Sequence, residues 1–184
     1  MNARFDLRLS KPEFLRWIEA PERRAAKFEW SGGRVVQMAN VTRAHVRIAT
    51  NVILALGSLL DRSAWSILSA DFYVESEEFL RIPDVIVEAA GGDLKARSTS
   101  EPVVLFEILS PSSVKTDLVD KPSEYAHFPG LETYVVLSQD EVVAWVWERQ
   151  ADGAFPAMPA EVRGRDLGLA LSKRGISLQL AEVY

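Results

Sequence analysis

The sequence predicts an α/β or α+β domain with a central mixed β-sheet flanked by helices. Three observations carry this. Helical spacing runs from Thr42 to about Asp61, with Ala49, Val52, Ile53, Leu56 and Leu60 on one face. Two runs, Pro83 to Val87 and Pro102 to Leu109, are β-branched or aromatic and bounded by turn residues, as buried strands are. The order helix, strands, helix, mixed strands then fits a layered domain of both element types.

Taken in order, Ser10-Lys11-Pro12-Glu13 has capping-box spacing and starts a short helix burying Phe14, Leu15, Trp17 and Ile18, which Pro21 ends. Lys27 to Trp30 and Arg34 to Met38 flank Ser31-Gly32-Gly33 as a hairpin. After the Thr42 helix, Trp65 to Leu68, Phe72 to Glu75 and Phe79 to Arg81 read as short strands. The two acid-bearing runs follow, separated by the polar loop Gly91 to Glu101. Ser110-Pro111-Ser112-Ser113 breaks the chain, and a helix runs on to about His127. Thr133 to Leu137 and Val142 to Trp147 form a strand pair, residues 151–159 an exposed loop, and Ala170 to Leu171 with Ile176 to Leu180 a last hairpin. Trp65, Trp145 and Trp147 alternate with core residues and support the sheet, and Tyr125 and Tyr134 are expected to pack.

The 184 residues make one domain, with 1–22 a helical N-terminal segment and 23–184 the core. A 48% hydrophobic share is enough to bury a core without staples, and the lack of cysteine excludes disulfides and thiolate metal sites. No apolar run approaches the roughly 20 residues of a membrane helix, so a cytoplasmic protein with no membrane partner is expected. The net charge of −5 is uneven: residues 1–47 hold ten Lys/Arg against five Asp/Glu, and the acids dominate afterwards. A basic N-terminal face suits phosphate; a merely solvated surface explains the same numbers.

Each acid-bearing run ought to be buried, yet one contains Asp84 and the other Glu107. A buried carboxylate needs a cation or a metal. On adjacent strands the two converge on one hard ion such as Mg²⁺, for which Mn²⁺ is a substitute, with the Ile108 carbonyl a further candidate ligand. Such an ion positions water and stabilises charge on a phosphodiester oxygen. The competing explanation pairs each acid with an Arg at a strand end.

Pro83-Asp84 followed by a strand ending Glu107-Ile108-Leu109 resembles the PD-(D/E)XK nuclease superfamily. The wider pattern is similar to one bacterial family, the restriction-endonuclease-like proteins of the Uma type. The resemblance rests on the hairpin Phe28 to Val36, His45, the strand Pro83 to Val87 and the string Pro102 to Ser113. It continues through Asp117, Lys121 and Tyr125, then Gly130 to Val136, so it spans roughly residues 10 to 184. It implies a restriction-endonuclease-like fold and Mg²⁺-dependent cleavage of DNA. Asp84 and Glu107 would hold the ion, and Glu29 would assist as a further acid; read by itself, Glu29 fits a cross-strand or surface acid equally well.

Two departures matter. Leu109 stands where the superfamily has its lysine, and the family resemblance moves that cation to Lys121. The i, i+4 spacing puts Asp117, Lys121 and Tyr125 on one helix face. But Pro122 follows directly, so either the helix starts near Asp120 or it is distorted there, and Lys121 is less securely aimed than the acids. Lys115 is a weaker substitute. Leu137-Ser138 also replaces the family's aspartate after the strand at Tyr134, which reads as a turn change. His45, in a first helical turn, could touch a phosphate or orient Glu29, but a solvated side chain is the expectation. Three functions stay open: a DNA endonuclease, acting as a homodimer if it cuts both strands, a non-catalytic module that keeps the fold for binding or dimerisation, and an RNA or nucleotide phosphodiesterase on the same site. Like-charge repulsion between Asp84 and Glu107 would make Asp84→Asn neutral or mildly stabilising without metal.

Overall fold

The computed structural model describes residues 7–23, 25–69 and 71–184; Arg4 and Arg24 of the basic N-terminal stretch lie outside them. Helix α1 (Lys11–Ile18) starts at the expected capping box, where the Glu13 carboxylate accepts from the Ser10 N–H at 2.8 Å and its hydroxyl at 2.6 Å. Strands β1 (Phe28–Ser31) and β2 (Arg34–Gln37) are joined by Gly32 and Gly33 at φ 52° and 83°, the left-handed pair that a two-residue hairpin turn demands. Helix α2 (Arg43–Leu59) begins at Thr42, whose Oγ1 accepts from the His45 N–H at 3.2 Å, and it buries Ile48, Val52, Ala55 and Leu56.

Strands β3 (Trp65–Ser69), β4 (Tyr73–Glu75), β5 (Phe79–Arg81), β6 (Val85–Ala89), β7 (Ser98–Thr99) and β8 (Val104–Leu109) follow. A helical crossover contains a π-type turn over Thr116–Asp120 and then α3 (Lys121–Tyr125). The chain ends with β9 (Thr133–Ser138), β10 (Val143–Glu148), β11 (Ala160–Arg163), β12 (Gly168–Leu171), β13 (Ile176–Gln179) and α4 (Leu180–Val183).

Among the described residues the strands form three sheets where the sequence suggested one. The main sheet runs β11-β10-β9-β8-β6-β3 and is antiparallel except between β8 and β9. A second sheet, β2-β1-β5-β4-β7, closes its own small core of Phe14, Phe28, Trp30, Val35 and Leu80 under α1. It packs in two directions: Phe28, Trp30, Val35 and Leu80 meet α1, while Val74 and Phe79 join the main sheet's core on the crossover side. The third is the ribbon β12-β13.

Alternating side chains send the main sheet's residues to two faces. Val85, Val104, Phe106 and Val135 meet α2, α4 and the β12-β13 ribbon. Ile86, Leu105, Tyr134 and Val136 meet Tyr125 and Phe128 on the crossover side. Glu107, two residues after Leu105, therefore points toward the crossover. No described helix is long and apolar enough to cross a membrane.

Candidate active site

The site grows from the pairing of β6 with β8. Val85 lies opposite Phe106, and Asp84, the residue just before β6, stands at that strand end beside Glu107 and Ile108. Asp84 bends out of the strand, so both its oxygens find donors: Oδ2 accepts from the Ile108 N–H at 2.7 Å, and Oδ1 from His45 Nε2 at 2.9 Å. Its side chain keeps 19% of its surface exposed, making it the open end of the site.

Glu107 is at the closed end. Its Oε1 accepts from Lys121 Nζ at 2.6 Å and from the Tyr125 hydroxyl at 3.3 Å. Lys121 also reaches Asp117 Oδ1 at 3.0 Å and Glu29 Oε1 at 3.6 Å, with a side chain only 3% exposed. Behind it, Glu29 accepts from Arg81 Nη1 at 2.9 Å and the Ile82 N–H at 3.0 Å. Arg81 in turn donates through two nitrogens to Glu124, each at 2.7 Å. Glu29, Glu107, Asp117 and Glu124 thus stand around two cations, with Asp84 at the strand end beside Glu107.

This imbalance sets the proton affinities. Burial pushes the Glu107 carboxyl well above the usual carboxylate range, and Asp117, Asp84 and Glu29 push it further against the pull of Lys121. Burial alone would pull Lys121 down, but Glu107, Glu29 and Asp117 outweigh it and hold the ammonium well above a free lysine. Burial likewise opposes ionisation of Glu29, yet Lys121 and Arg81 win and keep it below the usual range. The directions agree: the Lys121 ammonium holds its proton more tightly than a free lysine, and the Glu107 carboxyl holds one more tightly than a free glutamate.

Pro122 explains how Lys121 gets there. Proline has no N–H, and in a regular helix its ring collides with the carbonyl four residues back, here Leu118. The chain widens instead, and the Lys121 N–H bonds to the Thr116 carbonyl, five residues back. The helix is both distorted and restarted at Lys121, and the expectation of a poorly aimed lysine is reversed. Lys115 is an exposed side chain paired with Asp120 at 2.9 Å, away from the acids.

Other expectations change as well. His45 is not solvated: it is 7% exposed and bonded to Asp84, because the Thr42 cap turns the third residue of α2 onto the sheet. Tyr125 and Tyr134 pack as expected, but their hydroxyls also serve the site, Tyr134 donating to the Asp117 carbonyl at 2.9 Å. A strand-end arginine exists in Arg81, yet it serves Glu29 and Glu124 and neither Asp84 nor Glu107. Arg81 and Glu124 were missed: Arg81 reaches Glu29 through the β1–β5 pairing, and Glu124 meets Arg81 from α3.

As a metal site the donors are oxygens, which suits a hard cation. Among the described residues no three His, Asp or Glu side chains form a ligand cluster. A cation that keeps most of its waters fits Asp84 and Glu107. The Ile108 N–H faces Asp84, and the N–H and carbonyl of one strand residue leave the same edge, so the Ile108 carbonyl is turned the same way.

A mixed sheet with its acids at one end of β6 and β8 and a helical crossover above them is a restriction-endonuclease-like architecture. A crystal structure described as a "putative nuclease" from Anabaena variabilis superposes with a TM-score of 0.76 over 95% of this chain and 97% of that one, at 15% identity. The chain belongs to the Uma2 family, whose model, described as "Putative restriction endonuclease", matches residues 12–181. An uncharacterized protein of Synechocystis is 26% identical over 180 residues, spanning 96% of this chain and 92% of its own.

Proposed function

We propose that the protein is a Mg²⁺-dependent endonuclease that hydrolyses phosphodiester bonds in DNA at a PD-(D/E)XK-type site. The observation that carries this reading is Lys121 Nζ at 2.6 Å from Glu107 Oε1, with Asp84 beside them at the end of the neighbouring strand. Two acids and one cation are thereby gathered although the strand itself carries Leu109 where the lysine is expected. Family membership points the same way.

Asp84, Glu107 and the Ile108 carbonyl would hold Mg²⁺, with Mn²⁺ as a substitute. Bound there, the ion supplies charge stabilisation at a phosphodiester oxygen and a place for the attacking water. Lys121 offers an ammonium to the charge that develops on the phosphate. Glu29 keeps Lys121 and Arg81 in place and works from behind the acids. One site per chain makes a homodimer the economical way to cut both strands, and the cytoplasm is where such an enzyme meets DNA.

One observation favours the second reading, a non-catalytic nuclease-fold module. Lys121 already serves Glu107 as a buried counter-ion, and Asp84 has His45 and the Ile108 N–H, so each acid has partners without a metal. Purified protein should nick supercoiled DNA with Mg²⁺ or Mn²⁺ but not with EDTA, and Asp84→Ala should not nick. RNA and a small chromogenic diester, run alongside, define the substrate class. No cleavage of any of them, with no Mn²⁺ binding, would establish the module reading instead.

A further inference from the structure

We infer that His45 is a positioning residue for Asp84, fixing the rotation of that carboxylate so that its remaining lone pairs meet a divalent cation. The inference rests on the metal-site reading above. A carboxylate only accepts, so at 2.9 Å the His45 Nε2 must carry a proton and donate it to Oδ1. The Ile108 N–H holds Oδ2 at 2.7 Å. One donor comes from the first turn of α2 and the other from β8, so the carboxylate is gripped from two elements. Each oxygen spends one lone pair on its donor and keeps another for a cation.

His45 is itself held. Its N–H bonds to Thr42 Oγ1 at 3.2 Å, and that hydroxyl donates to Gln139 Oε1 at 2.7 Å, tying the first turn of α2 to the turn between β9 and β10. The ring is buried, and its Nδ1 has no hydrogen-bond partner among the described residues. All of the ring's polar interaction therefore goes to Asp84. A buried nitrogen left unpaired destabilises the fold, a cost that leucine or phenylalanine at this place would avoid. Orientation of Asp84 accounts for a histidine being kept there.

The test compares the full chain with His45→Leu, His45→Gln and Asp84→Asn, each checked for folding by circular dichroism. His45→Asn replaces the leucine variant if that one does not fold, since its shorter amide does not reach Oδ1. Mn²⁺ binding is read from the free-ion resonance, and cleavage is split into KM and kcat. Loss of a partner that orients a metal ligand typically weakens metal binding about 10–100-fold. That loss is expected in His45→Leu or His45→Asn. His45→Gln, whose amide nitrogen reaches about where Nε2 stands, should recover most of the affinity, and KM for DNA should hold while kcat falls at fixed metal. If His45→Leu or its substitute binds Mn²⁺ as tightly as wild type while Asp84→Asn does not bind it, the inference is overturned and the metal site survives. If wild type binds no Mn²⁺, or Asp84→Asn binds it unchanged, the metal-site reading fails and this inference with it.

Discussion

Lys121 and Thr116 are joined by a backbone hydrogen bond that spans five residues, one more than a regular helix allows. The extra residue turns the lysine inward onto Glu107, while Val119 on the same turn stays exposed. Pro122 enforces the wide turn, so Pro122→Ala should let it tighten and swing the ammonium away. Cleavage should fall by about a hundredfold, the scale of a displacement of roughly 1 Å at a reacting group. The melting temperature should move little. An unchanged kcat would show that the wide turn does not aim Lys121.

Lys121→Met should unfold easily without metal. Removing one partner of a buried ion pair costs about 3–5 kcal/mol, because the other charge is left uncompensated. Here Glu107 and Asp117 lose their cation, and Glu29 is left with Arg81 alone. Urea denaturation in EDTA reads this directly, and adding Mn²⁺ should restore part of the loss by mass action. Lys115→Met, at an exposed pair, should change almost nothing.

The raised Glu107 carboxyl has a signed consequence for pH. The folded state binds its proton in a range where the unfolded chain has lost it. Metal-free stability therefore falls as pH rises from the ordinary glutamate value of about 4.3 through the raised folded one. Glu29, held below the usual range, acts in the opposite sense: its contribution is present above that value and disappears as pH falls through its folded pKa. Glu107→Gln should remove the decline on the alkaline side and leave the acid-side loss. Mn²⁺ binding should expel the Glu107 proton. Calorimetry in two buffers of different ionisation enthalpy should show proton release in wild type and none in Glu107→Gln.

Repulsion alone makes Asp84→Asn harmless without metal, but the hydrogen bonds argue otherwise. Asp84 accepts from both His45 and Ile108, and an asparagine has only one acceptor oxygen. One donor is left facing an NH₂ group. The metal-free variant should lose about 1–3 kcal/mol, the cost of a buried donor without a partner. Thermal melts with EDTA and with Mn²⁺ should show a lower starting point and no metal response. A metal-free melting point at or above wild type would restore the repulsion argument.

Much of this was legible in the chain because strong local rules wrote it. Glycine at both positions of the Gly32-Gly33 turn, the Ser10 and Thr42 caps, and carboxylates set inside apolar runs each have few alternative explanations. Pro122 announced a distortion but not its direction, since proline says where a helix cannot be regular and not which way the chain will turn. The network behind Glu29 was hidden because Arg81 is 52 residues from Glu29 and 43 from Glu124, so only the β1–β5 pairing and the crossover helix bring the three together. His45 was misjudged because burial of a first-turn residue depends on what the helix lies against. Strand β11 passed unnoticed because Ala160–Arg163 is an edge strand, largely exposed and without apolar alternation.

The parallel pairing of β8 with β9 obliges the chain between them to arch over one face of the sheet. Glu107 and Leu109 both point to that face, so the arch and the strand end look at the same spot. A lysine at position 109 or at position 121 would therefore meet the same carboxylate, so the ammonium over Glu107 depends on the face it hangs from and not on its spacing along the chain.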